Sequence, residues 1–282
     1  MIYAAGNIVD GKGDRSSIGG DTYRNLIRKA RLDKNIKAIV LRVNSGGGSA
    51  LASENIWREL ILAKKDKPVV VSFGDVAASG GYYISAAADT IFAQPNTITG
   101  SIGVFAIVPN MQKFFNNKLG MTFDAVKTAP DADAGSIVQP LTASQQRYFQ
   151  QSVDSIYHTF KTRVSDGRKL SMAMVDSIGQ GRVWSGRRAI DLGLVDRLGG
   201  LQDALVTAAK MAKLSSYALR EYPEPQSIFD YFMGSREDAL KNDAIAKEVG
   251  QSGLKTYQAI KSLKTMIGVS QAKLPFEYQL QQ

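Results

Sequence analysis

Two short apolar runs constrain the fold more than any other feature of this sequence. They are Ala38–Val43 and Pro68–Phe73, and both are nearly continuous stretches rich in Val and Ile. Such runs are typical of parallel strands that are buried on both faces. A helical pattern precedes each run, and a third run, Thr90–Ala93, follows further along the chain. Strands that alternate with helices predict an α/β fold built from βαβ units around a mostly parallel sheet.

Helical spacing dominates the second half of the chain. Thr142 and Gln145 form a capping-box pattern that predicts the start of a long helix. Further helices are predicted over residues 172–178, 187–192 and 201–213. After two prolines the composition becomes polar, with many Gln and Lys residues. We therefore predict an α/β domain over residues 1–214 and a helical C-terminal tail over residues 215–282.

Composition excludes several classes of function. The chain has 282 residues, no cysteine and one histidine, His158. Disulfides and thiolate metal sites are excluded, and we predict no metal and no cofactor. With a single histidine in the chain, we expect any catalysis to rely on another base.

The net charge of +9 comes from 35 basic and 26 acidic residues. The basic residues are spread along the chain, which favours solvated helix faces; attraction to an anionic surface is the alternative. No nucleic-acid-binding motif accompanies them, so we expect no nucleic-acid partner.

The sequence contains no segment that predicts a membrane span or a leader. No run approaches the roughly 18 to 20 apolar residues that a transmembrane helix needs. Residues 1–6 lack the basic and apolar regions of a signal peptide. The chain begins directly in strand-like sequence, as a downstream half of a longer protein would.

A glycine-rich turn follows the first apolar run. It reads Asn44-Ser45-Gly46-Gly47-Gly48-Ser49 and leads into a helix. A turn of this kind exposes backbone N–H groups, which suits an anion or a developing oxyanion. It lacks the lysine of a P-loop and the spacing of a dinucleotide-binding motif. A tight turn without any ligand is the alternative interpretation.

A second small-residue turn, residues 74–83, follows the second apolar run. Ser79 lies in it, among Ala and Gly residues, just past a strand and at the start of a helix. Small neighbours let a substrate carbonyl approach a serine hydroxyl. The turn is not the Gly-x-Ser-x-Gly elbow of α/β-hydrolases, and a helix N-cap is the alternative role for Ser79.

Taken together, the two turns resemble those of a known family. The segments 44–49, 77–83 and 99–104 look like the signal peptide peptidase A family, the S49 serine peptidases of the Clp-protease/crotonase superfamily. The segments 181–186 and 193–199 are similar to a downstream signature of that family, so the likeness covers most of residues 6–214. Gly46 departs from the family pattern, which usually has proline there.

The resemblance implies a fold and a set of roles. The fold would be a Clp-protease/crotonase-like ββα-type spiral with a mostly parallel sheet and flanking helices. Ser79 would be the nucleophile, and the N–H groups of Gly48 and Gly80 would stabilise the oxyanion. An extended peptide substrate would bind as an added strand. The residues that would bind it are Gly46, Gly47, Gly100, Ser101 and Gly103.

The general base is missing from its expected place. The family uses a lysine about fifty residues after the serine, and Ala132 occupies that position here. In the long, two-repeat members the lysine comes from the N-terminal repeat, and this chain resembles a C-terminal repeat. An N-terminal repeat or a neighbouring subunit would then supply the base. Lys127 acting locally and a catalytically silent scaffold are the other interpretations.

The resemblance also implies a function and partners. We expect a serine endopeptidase that degrades signal peptides or similar apolar peptides, acting as a homo-oligomer. The expected location is the periplasmic or outer face of a bacterial inner membrane, with membrane association through a segment absent from this sequence. The alternatives are a crotonase-like acyl-CoA enzyme and a non-catalytic assembly module.

Overall fold

The computed structural model describes residues 1–14, 16–223, 245–250, 252–254, 256–260 and 266–274. Strands and helices alternate along most of these residues. The strands are β1 (Ile2–Ala5), β2 (Asn7–Val9), β3 (Ser17–Gly19), β4 (Ile39–Ser45), β5 (Gly47–Ser49), β6 (Val69–Ala78), β7 (Thr90–Ala93), β8 (Ile98–Gly100), β9 (Val183–Ser185), β10 (Arg197–Leu198) and β11 (Gln271–Lys273). The helices are α1 (Gly20–Leu32), α2 (Ala50–Lys64), α3 (Gly80–Ser85), α4 (Gln112–Phe114), α5 (Ala143–Arg168), α6 (Met172–Ile178), α7 (Gly186–Asp191) and α8 (Leu201–Met211), with a π-helical turn at Phe115–Leu119.

A seven-stranded, mostly parallel sheet forms the centre of the fold. Its main path runs β1-β4-β6-β7-β10, and every pair along it is parallel. Strand β8 pairs with the far end of β6 in parallel, and β9 pairs with β8 in the antiparallel sense. The predicted α/β class with a mostly parallel sheet and flanking helices is therefore confirmed.

The predicted apolar strands form the buried core of this sheet. Leu41 and Val43 of β4 and Val71 and Phe73 of β6 are fully buried. Strand β6 extends to Ala78, well beyond the predicted end. The extension occurs because β6 pairs first with β7 and then, past Gly74, with β8.

A second, four-stranded sheet lies beside the first, in the order β11-β5-β2-β3. Strand β5, which contains Gly47 and Gly48 of the first glycine turn, is parallel to β2 and antiparallel to β11. The glycine-rich residues of the turn are therefore held in a sheet ladder.

The helices follow the sequence patterns closely. Helix α5 begins after Thr142 with the predicted capping box, and α6 has the predicted bounds. Helix α7 begins one residue before the predicted start, and α8 ends two residues before the predicted end. Within the described ranges, no helix combines the length and the apolar character that a membrane crossing requires.

The predicted helical tail is described only in part. Residues 245–250, 252–254 and 256–260 are helical, whereas Gln271–Lys273 form strand β11. The predicted helical tail thus does not extend to this segment, because its backbone pairs with β5. Residues 224–244, 251, 255, 261–265 and 275–282 of the tail lie outside the described residues. The boundary at residue 214 stays a prediction.

Gly48 lets β5 approach β2, and this contact yields a prediction. Gly48 has φ +157°, and a Cβ added there would lie 1.9 Å from the Ile8 carbonyl oxygen. We expect Gly48→Ala to lower the free energy of unfolding by about 3 kcal/mol or more, because a backbone atom must move. Gly11→Ala is the control, because Gly11 has φ +72° and open space around it. That control should cost only about 1 kcal/mol. Equal costs in urea unfolding of the two variants would contradict this prediction.

Candidate active site

Ser79 lies in a strained turn between β6 and α3. Its φ of 52° and ψ of −116° fall outside the regions that L-residues normally occupy. Two hydrogen bonds hold this conformation. The Ser79 N–H donates to the Gly100 carbonyl at 2.9 Å, and the Ser79 carbonyl accepts from the Tyr83 N–H at 2.8 Å. Strain of this kind persists only where surrounding structure imposes it, and it is concentrated at functional sites.

The two small-residue turns are in direct contact. A Cβ placed on Gly47 would lie 2.6 Å from the Gly80 nitrogen, and one placed on Gly80 would lie 3.1 Å from the Gly47 Cα. Gly47 has φ +97°, which favours glycine. The turn that holds Gly48 thus lies against the turn that holds Ser79 and Gly80, as the predicted oxyanion site requires.

Ser45 connects the same two turns. It pairs with Ala77 of β6 after a shift in the strand register, and its hydroxyl accepts a hydrogen bond from the Gly47 N–H at 3.1 Å. A Cβ on Gly81 would lie 2.6 Å from the Ser45 carbonyl oxygen. Only glycine fits at position 81 without displacing this backbone.

The predicted peptide-binding residues beyond β8 lie on another side of Ser79. The Ser79 hydroxyl lies 3.5 Å from the Gly103 carbonyl oxygen. Ser101 has φ 48°, and its N–H donates to the Arg182 carbonyl at 2.7 Å. Ser101 and Gly103 both line a cavity of about 310 Å³. Every residue predicted for the nucleophile, the oxyanion site or peptide binding therefore lies in or next to the glycine turn at residues 44–49 or the turn that contains Ser79.

Lys127 is engaged elsewhere. Its ammonium lies 2.6 Å from the Asp133 carboxylate, and the ion pair lowers the pKa of Asp133. Lys127 is absent from the wall of the cavity beside Ser79. Among the described residues, the Gly103 carbonyl is the one hydrogen-bond partner of the Ser79 hydroxyl. No lysine or histidine of the described residues is hydrogen-bonded to that hydroxyl.

Other polar residues near the site have structural partners. The Thr99 hydroxyl donates to the Ala77 carbonyl at 2.7 Å. His158 is exposed on α5. Over the described ranges, no group of three or more His, Asp or Glu residues is arranged to hold a metal.

The aromatic residues of the second turn are packing residues. Tyr82 and Tyr83 are both buried, and their hydroxyls donate to the Leu194 carbonyl and to the Glu54 carboxylate. Burial raises the pKa of both phenols, so they are neutral at physiological pH. Trp184 is partly buried, and its indole N–H donates to the Ile178 carbonyl at 3.0 Å.

One segment at the site was not predicted from the sequence. Strand β11 lies along β5, beside the turn that contains Gly46, Gly47 and Gly48. Its sequence, Gln271-Ala272-Lys273, is too short and too polar to indicate a strand on its own. The pairing depends on β5, which lies far away in the sequence.

Comparison with known proteins places the chain in a family. The model of peptidase family S49 matches residues 61–215, more than half of the chain. Protease 4 of Salmonella typhi is 44% identical over 242 residues, which cover 86% of this chain and 39% of that protein. A putative signal peptide peptidase SppA of Enterococcus faecium is 35% identical over 216 residues, covering 76% of this chain and 62% of that protein.

Among solved structures, a ClpP1 mutant from Listeria monocytogenes matches 72% of this chain and 94% of its own, with TM-score 0.49 and 14% identity. The chain spans well under half the length of Protease 4. The resemblance inferred from the turn motifs is confirmed by the family match, and the serine-type peptidase class agrees with it. The chain belongs to peptidase family S49.

Proposed function

We propose that this chain carries the nucleophile of a serine endopeptidase, and that Ser79 is that nucleophile. The observation that carries the proposal is the strained backbone of Ser79 beside the glycine turn of β5. Packing alone does not require a strained backbone at Ser79 next to the glycine turn. The strain is explained by a reaction at the hydroxyl.

The geometry supports a defined sequence of steps. The Ser79 oxygen attacks the carbonyl carbon of a peptide bond while its proton passes to a general base. The N–H groups of Gly48 and Gly80 donate to the oxyanion, and such a donor is typically worth about 10² to 10³ in rate. The C–N bond then breaks, and the base returns its proton to the leaving amine. Water hydrolyses the resulting ester by the reverse roles.

The base comes from outside the described residues in this proposal. An N-terminal repeat or a neighbouring subunit would supply a lysine whose pKa is lowered by burial. Two observations support this assignment. Lys127 is paired with Asp133, and the chain spans 39% of the length of Protease 4. A longer protein has room for a second repeat.

The substrates in this proposal are signal peptides or similar apolar peptides. The name of the Enterococcus faecium relative supports this class. An extended peptide would lie between the β5 turn and residues Gly100–Gly103, paired as an added strand. The protein would act as a homo-oligomer and would associate with a membrane through another segment. Its location would be the bacterial inner membrane, on the periplasmic or outer face. A catalytically silent assembly module is the second candidate, because no basic side chain of the described residues is hydrogen-bonded to the Ser79 hydroxyl.

A fluorophosphonate probe tests the nucleophile. With the upstream repeat present, we expect the probe to label the chain at Ser79 and Ser79→Ala to abolish labelling and peptide hydrolysis, because the attacking oxygen is gone. Ser85→Ala is the matched control, because Ser85 is a buried serine of α3 whose hydroxyl donates to the Gly81 carbonyl. It should keep labelling within about twofold. Hydrolysis by Ser79→Ala would show that Ser79 is not the nucleophile, and no labelling in the full assembly would leave the silent module as the function.

A second pair of variants tests the source of the base. We expect Lys127→Met to change the labelling rate by less than about twofold, because its ammonium pairs with the Asp133 carboxylate rather than with Ser79. Asp133→Asn removes the same ion pair and leaves the lysine in place. A loss of tenfold or more in Lys127→Met, with Asp133→Asn unaffected, would identify Lys127 as a local base.

A further inference from the structure

Strand β6 contains a bulge between the two segments that pair with β4. Val43 lies opposite Phe73, and Ser45 lies opposite Ala77. Between these pairs β4 has a single residue, whereas β6 has residues 74–76. A bulge bends the strand that carries it and changes where the following side chains point, and bulges are common next to active sites. Here the strand leads from the bulge directly to the turn that contains the proposed nucleophile.

The bulge sets the position of Ser79 along the sheet. If the first register continued, Ser45 would lie opposite Asp75 instead of Ala77. A parallel strand rises about 3.3 Å per residue, so a slip of two residues corresponds to about 7 Å. The turn that holds Ser79 would then be displaced by about that distance from Gly47, which it now contacts. The proposed site therefore depends on the bulge.

The side chain of Asn44 lies in this bulge. Its Oδ1 accepts a hydrogen bond from the Val76 N–H at 3.1 Å. A Cβ placed on Gly74 would lie 2.9 Å from the Cβ, Cγ and Oδ1 of Asn44, so this side chain lies directly against the Gly74 backbone. The Asn44 carbonyl in turn accepts from the Gly6 N–H at 3.0 Å. Asn44 thus connects β4 to the bulge of β6 immediately before the glycine turn.

Two other side chains bond the carbonyls at the start of the bulge. The Arg42 guanidinium donates to the Phe73 carbonyl, and the Thr97 hydroxyl donates to the Gly74 carbonyl at 2.8 Å. Thr97 is buried, so its hydrogen bond is shielded from water. Of the three side chains, only that of Asn44 bonds the part of the bulge that lies nearest to Ser79.

We propose that Asn44 is a positioning residue for the reaction at Ser79. By accepting the hydrogen bond of the Val76 N–H, it holds β6 in the register that sets Ser79 against the glycine turn. The proposal rests on the proposed peptidase function for its effect on rate, and on the bulge alone for its geometry. Because oxyanion donors act in the transition state, loss of this register lowers kcat and leaves KM nearly unchanged.

Asn44→Leu tests the proposal, because leucine has a similar size and no acceptor oxygen. In the assembly that contains the upstream repeat, we expect kcat for peptide hydrolysis and the rate of fluorophosphonate labelling to fall at least about tenfold, with KM within about twofold. Asn44→Asp keeps an acceptor oxygen in the same place and should hold both rates within about threefold of the unsubstituted protein. A tenfold loss in both variants, or in neither, would overturn the proposal.

Asp89→Leu is the matched control. The Asp89 carboxylate accepts from the Val69 N–H at 2.9 Å, at the opposite end of the same strand. This variant also removes a side-chain acceptor from a β6 amide, but it should leave kcat within about twofold because the bulge is intact. A loss as large as that of Asn44→Leu would assign the effect to general weakening of β6 and reject a positioning role.

Hydrogen exchange tests the geometry without any chemistry. We expect Asn44→Leu to speed exchange of the amides of residues 77–79 at least about tenfold and to leave residues 69–73 unchanged. Asp89→Leu should do the reverse. Asn44 is exposed, so its replacement does not disturb the core, and Asn44→Ala provides a second substitution with the same expectation. Unchanged exchange at residues 77–79 in both Asn44 variants would overturn the proposal.

Failure of the peptidase function gives a different pattern of results. Faster exchange at residues 77–79 in Asn44→Leu, with no labelling of the unsubstituted assembly, would support the positioning of the Ser79 backbone and reject the peptidase. Labelling of the unsubstituted assembly, with rates and exchange unchanged in Asn44→Leu, would reject the role of Asn44 and leave the peptidase intact.

Discussion

The parallel pairing of β4 with β6 is the constraint on which the site depends. The two strands pair from Ile39 opposite Val69 to Val43 opposite Phe73, and after a shift Ser45 lies opposite Ala77. Because the carboxyl ends of parallel strands share one edge of a sheet, the turns after them meet. That edge therefore holds the glycine turn of β5 and Ser79 in contact. Strand β8 joins β6 at the same end and brings Gly100 to the Ser79 N–H.

The strain at Ser79 is maintained by the packing of the short helix that follows it. All six residues of α3 are buried. The Tyr82 hydroxyl donates to the Leu194 carbonyl, between α7 and β10, and the Tyr83 hydroxyl donates to Glu54 of α2. The Tyr83 ring also packs against Phe160, with a centroid distance of 4.6 Å. A helix fixed at this many points cannot rotate to relax the residue before it. The cost of the strained turn is thus met by the surrounding core.

Sequence reasoning recovered what local patterns encode. The buried strands, the capped helix α5 and the position of Ser79 between a strand and a helix follow from periodicity, capping and turn residues, and all are present in the structure. The ion pair of Lys127 with Asp133 and the place of β11 were not predicted. A short polar segment carries no periodic signal, and its strand partner is fixed only when distant parts of the chain meet. The end of β6 was missed for a related reason, because a second partner strand extends it.

The composition of the four-stranded sheet has a consequence for folding. Strand β5 meets β2 at one register position, Ile8 opposite Gly48, whereas it pairs with β11 at three. Most of the residue pairs that β5 forms thus join segments that lie very far apart along the chain. Contacts of this kind form slowly, since the loop between the partners must close first. During synthesis on the ribosome, the central parallel sheet can assemble while the glycine turn still lacks its main partner strand. The ladder beside the glycine turn is therefore among the last parts of the domain to form, and a nascent chain still lacks it.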